Sequence, residues 1–152
     1  GQFPSPYYAG LVKFEGECDR LQHYELRIPS IAINKSVYTP AGTGGPDKPP
    51  VDKTYINLSY NFMTPVNEGH TRYFWFQHRN TDPNDEVVSK FMNDGARMAF
   101  EEDRAILTEV DRGMRDRQTP NIDLRLDAGS KLFRKQLQQQ PLGPPLFQNA
   151  GK

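Results

Sequence analysis

The chain has 152 residues, 36% of them hydrophobic, with 19 basic against 19 acidic side chains, a size that suits one domain. Balanced charge leaves no clustered basic excess to displace counterions from nucleic acid or to hold an acidic membrane surface, so neither is an expected partner. A lone cysteine, Cys18, cannot close an internal disulfide or furnish the thiolates of an iron–sulfur cluster, and no apolar run approaches the roughly 20 residues that cross a bilayer, so the expectation is a soluble cytoplasmic domain.

Pro4 and Pro6 remove amide donors and bias their neighbours to extended shapes, so residues 1–20 read as an N-terminal arm. From Leu21 the pattern has a period of two, with Tyr24, Leu26 and Ile28 on one side and His23, Glu25 and Arg27 on the other, which predicts a half-buried strand. A second extended piece follows through Ile31, Ile33, Val37 and Tyr38. Pro40 to Pro50 is a glycine- and proline-rich surface loop; its glycines lack the Gly-Lys-Ser/Thr end and following helix of a phosphate cradle. Lys53 to Thr64 and His70 to Arg79 are two long strands joined by a turn over Thr64 to Gly69. The second places Phe74, Phe76 and His78 on one face and Tyr73, Trp75 and Gln77 on the other, and the short connection favours antiparallel pairing.

Thr81 or Asp82 is a suitable cap, and Pro83 a suitable first-turn residue, for a long helix whose stripe runs Val88, Met92, Gly95, Ala99, Ile106 and Val110 to a stop near Gly113. Asn121 to Leu126 reads as extended, Asp127 to Ser130 as the cap of a short helix through Gln140, and residues 141–152 as an irregular tail. The domain proper is expected over residues 21–140.

One residue does not suit its surroundings. Projected at 100° per residue, Asp103 falls beside Ala99 and Ile106, near the apolar stripe, while Glu102 flanks the stripe and Glu101 points away. A carboxylate buried there needs an arginine or lysine, a set of hydrogen bonds, or a bound cation, because an unpaired buried charge costs several kcal/mol. Helix geometry alone leaves a structural ion pair, a solvated stripe edge and a metal ligand all open.

The words around it narrow the choice. Thr64-Pro65-Val66, Thr71-Arg72-Tyr73-Phe74-Trp75-Phe76 and Phe100-Glu101-Glu102-Asp103-Arg104-Ala105-Ile106 together resemble the C-terminal catalytic domain of Rieske-type non-haem iron oxygenases, in the branch of the vanillate O-demethylase large subunit. The resemblance spans roughly residues 24–137. It implies an α+β helix-grip (START-like) domain, a curved antiparallel sheet packed on a long C-terminal helix, that hydroxylates or O-demethylates an aromatic compound. By the same resemblance Asp103 is the catalytic carboxylate and metal ligand of a mononuclear Fe(II) held by two histidines and one carboxylate. Phe74, Phe76, His78 and Ala99 are its candidate substrate-pocket residues.

The chain departs from the family's pattern in having only His23, His70 and His78, with no pair four residues apart, and no Rieske [2Fe-2S] domain. What the resemblance implies is therefore a C-terminal part of an oxygenase, inactive alone, whose cluster lies on another domain or subunit. Its partners are an upstream oxygenase segment, a reductase and an aromatic small molecule, with self-association through sheet edges. The alternative is a non-catalytic helix-grip module that binds an apolar ligand or acts as a partner subunit.

Overall fold

The computed structural model describes residues 1–67, 69–116, 122 and 124–140. In chain order it contains α1 (Pro6–Ala9), β1 (Cys18–Arg27), β2 (Ile31–Pro40), β3 (Tyr55–Asn67), β4 (His70–Arg79), α2 (Glu86–Arg115), a 3-10 turn at Arg125–Asp127 and α3 (Ala128–Gln138). The strands form one antiparallel sheet in the order β1-β2-β3-β4, a meander made by local connections. The result is an α+β fold of the helix-grip type whose sheet stays open.

Side chains alternate along a strand and directly opposed residues share a face, so the register assigns each residue to one side. Tyr38 pairs with Tyr55, Ser36 with Asn57, Asn34 with Ser59, Asn61 with Trp75 and Met63 with Tyr73. These residues form the face that α2 covers. The alternate set, which includes Ile33, Leu58, Tyr60, Phe62, Phe74, Phe76 and His78, forms the other face.

The best-buried cluster is Leu11, Cys18, Tyr38, Tyr55 and Met92, where the amino-terminal segment, the sheet and α2 meet. Residues 1–20 are therefore more than an arm. Gln2 pairs with Cys18 as an isolated bridge, the Tyr8 ring stacks on Tyr38 at 4.5 Å, and the Tyr7 ring stacks on Phe91 of α2 at 5.4 Å. Gly95 is the position on α2 that admits Tyr7: a Cβ there would stand 2.6 Å from the ring. At the far side of the sheet the expected burial on β1 is not realised. Tyr24 is 66% and Leu26 48% exposed, since β1 is an edge strand lying away from α2.

β3 runs on through Pro65 to Asn67, beyond the turn expected at Thr64. Its register with β2 ends at Phe62, and Met63 N donates to Ser30 O, so the amide position two residues on points past the end of β2. A proline there forfeits no ladder bond. The irregularity between Pro65 and Asn67 and the bond from Gly69 N to Asn67 Oδ1 (3.0 Å) close the hairpin.

α2 starts at Glu86 rather than near Thr81. Asp82 has φ 46°, a left-handed conformation that an aspartate tolerates but a helix does not continue, and Asp85 caps instead by accepting from Val87 N (2.8 Å) and Val88 N (3.1 Å). Asp85→Ala is expected to lower stability by about 1 kcal/mol, measurable as a shift in the urea midpoint. The helix's outer face carries exposed ion pairs at three- and four-residue spacing, among them Lys90–Asp94 and Glu101–Arg104. Of the piece expected to be extended over 121–126, Arg125 and Leu126 belong instead to the 3-10 turn, where Leu124 N donates to Asp127 Oδ2 (2.7 Å), and residues 121 and 123 lie outside the described residues. The expected tail at 141–152 lies outside the described residues.

Burial raises the Tyr7 and Tyr38 phenols from 10.0 to about 12, with the neighbouring Tyr8 adding to both. Both phenols stay protonated in the folded chain after they would ionise in the unfolded one, so folding binds more protons above pH 10. The stability they contribute is complete below pH 10 and is lost as pH rises from 10 to 12. Melting temperature measured across that window is expected to fall, and to fall less in Tyr38→Phe.

Candidate functional site

α2 lies lengthwise along β4, antiparallel to it. At one end Arg79 of β4 donates from Nη2 to Ser89 Oγ (2.9 Å) and from Nη1 to Met92 Sδ (3.8 Å), and also holds the carbonyls of Thr81, Asp82 and Asp85. Midway, Phe100 meets the edges of Trp75 and Tyr73, each at 5.2 Å between ring centres. At the other end Gly69 of the hairpin lies beside Arg115. One helical turn beyond Phe100 stands Asp103, on the side of α2 nearest Tyr73. Its carboxylate is close enough to reinforce the upward shift that burial gives the Tyr73 phenol.

The Tyr73 hydroxyl donates to Asn61 Oδ1 (2.6 Å), and Asn61 Nδ2 donates to Ala32 O (3.3 Å), so the phenol is fixed across two strands. Along the same face the polar residues Ser36, Asn57, Ser59 and Gln77 continue toward the core. For Asn57, Ser59 and Asn61 the alternation in the sequence suggests a solvated row, with an inward direction as the other possibility. The structure turns this row toward α2: Asn57 is 3% exposed and Ser59 and Asn61 are half-buried, with Ser36 beside Asn57 1% exposed. Buried amides are unusual without partners, yet Asn34 Oδ1, Asn57 Oδ1 and Gln77 Oε1 have none among the described residues. The arrangement is a wall of aromatic edges and neutral hydrogen-bonding groups, with a single carboxylate at its rim.

The predicted site residues are not all gathered here. Phe74, Phe76 and His78 occupy the opposite face of the sheet, Phe74 and Phe76 being exposed; Phe76 stacks with Tyr60 and Phe62, and His78 meets Tyr60 and Phe76 edge-on. The reason is the register: with Tyr73 and Trp75 against Phe100, the intervening residues must point away. Ala99 is on α2, one turn before Asp103, and is exposed. Asp103 is also exposed, so it needs no buried counter-ion. Tyr73, Trp75 and Phe100, which the structure brings together here, are not among the predicted pocket residues; the one available signal is the second aromatic row in Tyr73-Phe74-Trp75-Phe76.

A divalent iron centre of the implied kind takes two imidazoles and a carboxylate on one face. The histidines do not fit that set. His78 is on the far face, His70 is at the hairpin tip bonded to Asn67, and His23 is on edge strand β1. Among the described residues no group of three or more histidine, cysteine or acidic side chains is placed to hold a metal. Among the described residues, no helix is long and apolar enough to cross a membrane.

Over 126 residues the chain is 30% identical to the toluene-4-sulfonate monooxygenase system iron-sulfur subunit TsaM1 of Comamonas testosteroni, a match covering 82% of this chain and 36% of that protein. It is similar to the same extent to the putative toluene-4-sulfonate monooxygenase system iron-sulfur subunit TsaM2 of that organism. The chain thus spans little more than a third of the length of these relatives. No solved structure matches it. Residues 1–140 match the vanillate O-demethylase oxygenase C-terminal domain, and with the sheet, the long helix and the aspartate in the order described, the chain belongs to that family.

Proposed function

We propose that this chain forms the carboxylate-bearing wall of a Rieske-type oxygenase acting on an aromatic compound by hydroxylation or O-demethylation, and that it is inactive alone. The observation that carries the reading is the placement of Asp103 one turn from Phe100 and beside Tyr73, at the rim of a wall of aromatic edges and neutral amides. Iron, when held by two imidazoles from an upstream oxygenase segment, would supply dioxygen chemistry. Asp103 would give it one oxygen ligand. Trp75, Tyr73 and Phe100 present ring edges to an aromatic substrate, and the Tyr73–Asn61 bond fixes the orientation of that wall. The reading includes a Rieske cluster on another domain or subunit, electrons from a reductase, and a cytoplasmic location.

The test is an anaerobic Fe(II) titration of the chain with and without an upstream oxygenase segment carrying the two histidines. Tight binding is expected only with that segment. Tight binding by the chain alone, indifferent to Asp103→Ala, would contradict the assignment.

A second reading, a non-catalytic ligand-binding module, is favoured by the scattered histidines. It predicts that an apolar ligand binds in the presence of a chelator and that Asp103→Asn leaves this binding intact.

A further inference from the structure

The glycine- and proline-rich loop has no part in the wall beneath α2. It folds back over the other face of the sheet and roofs a partly enclosed cavity of about 250 Å³. Leu21, Val37 and Ile56 line it from the strands, and Pro46, Pro49 and Pro50 from the loop. The roof is tied down at several points. Gly44 N donates to Asp19 Oδ2 (2.9 Å), Lys48 Nζ to Gly42 O (3.0 Å) and Val51 N to Thr54 Oγ1 (2.9 Å). Gly44 seats so closely that a Cβ there would stand 2.4 Å from Thr39 Oγ1.

The charges around the cavity are unequal. Lys35 and Lys48 line it with the acid Asp19, whose carboxylate accepts from the Gly44 amide, while Arg20 borders it from its strand position and turns its guanidinium over the Tyr38 ring on the α2 side. Thr39 also lines it, 5% exposed, with a hydroxyl oxygen that lacks a hydrogen-bond partner among the described residues. Apolar walls and a surplus of cations at the rim together select for a molecule with an apolar body and one negative end. The volume is below the 300–1,000 Å³ of drug-sized sites, which limits the occupant to about ten non-hydrogen atoms.

We propose that this cavity is a binding site for a small organic carboxylate, its ring or short chain packed between Ile56, Val37 and the loop prolines and its carboxylate directed to Lys35. The site lies on the face of the sheet opposite Asp103 and is independent of any role in iron binding.

The test is a titration of the chain, followed by amide chemical shifts, with benzoate and with benzyl alcohol as the neutral counterpart. Benzoate is expected to produce saturable shifts at Val37, Ile56 and residues 44–48, with benzyl alcohol about tenfold weaker. Lys35→Gln, an exposed substitution that leaves the fold intact, is expected to bring benzoate down to the level of the alcohol. Ile56→Trp is expected to fill the cavity and abolish both; Leu21→Phe serves the same end if the first does not fold. Asp103→Asn is expected to change nothing, which separates this outcome from the fate of the iron assignment. Absence of saturable shifts, shifts centred on α2, equal binding of the two compounds, or indifference to Lys35→Gln would each overturn the proposal.

Discussion

Tyr55→Ala is expected to lower the unfolding free energy by about 3–5 kcal/mol, the cost of deleting a large aromatic side chain from a packed interior. Tyr55 is fully buried and joins the Tyr8 and Tyr38 rings to the α2 side of the core, so its loss opens a void shared by three elements. The conservative change has the opposite sign. Tyr55 Oη is buried with no hydrogen-bond partner among the described residues, and a phenol in that position costs about 1–3 kcal/mol of desolvation that phenylalanine does not incur. Tyr55→Phe is therefore expected to be neutral or to stabilise the chain by about 1 kcal/mol. Urea unfolding of the two variants checks both. Equal destabilisation by Phe and Ala would mean that the hydroxyl has a partner.

Asp103→Ala is expected to leave folding almost unchanged, within about 0.5 kcal/mol, because the residue is exposed. In an assembly with the histidine-bearing segment, the same substitution is expected to weaken Fe(II) binding on the order of a hundredfold or more, since removal of even an outer partner of a metal ligand costs 10–100-fold. The contrast between an intact fold and a lost metal is what separates a ligand from a structural carboxylate. Tyr73→Phe keeps the ring against Phe100 and removes only the bond to Asn61, so it is expected to retain iron. Calorimetric titration under anaerobic conditions measures each affinity, and unaltered affinity in Asp103→Ala would sink the assignment.

The strands and the long helix were legible in the sequence because their periods are strong: two for residues 21–38 and 53–79, and three to four from Val88 onward. The assignment of faces was not. Tyr73-Phe74-Trp75-Phe76 offers aromatic side chains to both sides of β4, and alternation alone does not say which row a helix covers; only the contacts of Phe100 decide it. The same limit applies to Asp103. Helical projection gives its angle around the axis but not whether another element overlies it. The packed role of residues 1–20 was hidden by Pro4 and Pro6, which mark local chain shape and carry no information on the long-range seating of Tyr8 against Tyr38. The helix start differs from the expected Thr81 or Asp82 because cap chemistry alone does not reveal that Asp82 turns left-handed and that Arg79 gathers the carbonyls of Thr81, Asp82 and Asp85.

The irregular pairing between Pro65 and Asn67 carries a consequence for how length changes can be accommodated in this sheet. Adding or deleting one residue within β4 would exchange its two rows, burying Phe74 and Phe76 beneath the helix and expelling Tyr73 and Trp75 into water. Near the hairpin tip β3 has already passed the end of β2, and an odd residue can be taken up as a bulge without inverting anything downstream. A change of length is accordingly accommodated best at that tip, while the paired stretches of β3 and β4 on either side of it require a fixed frame.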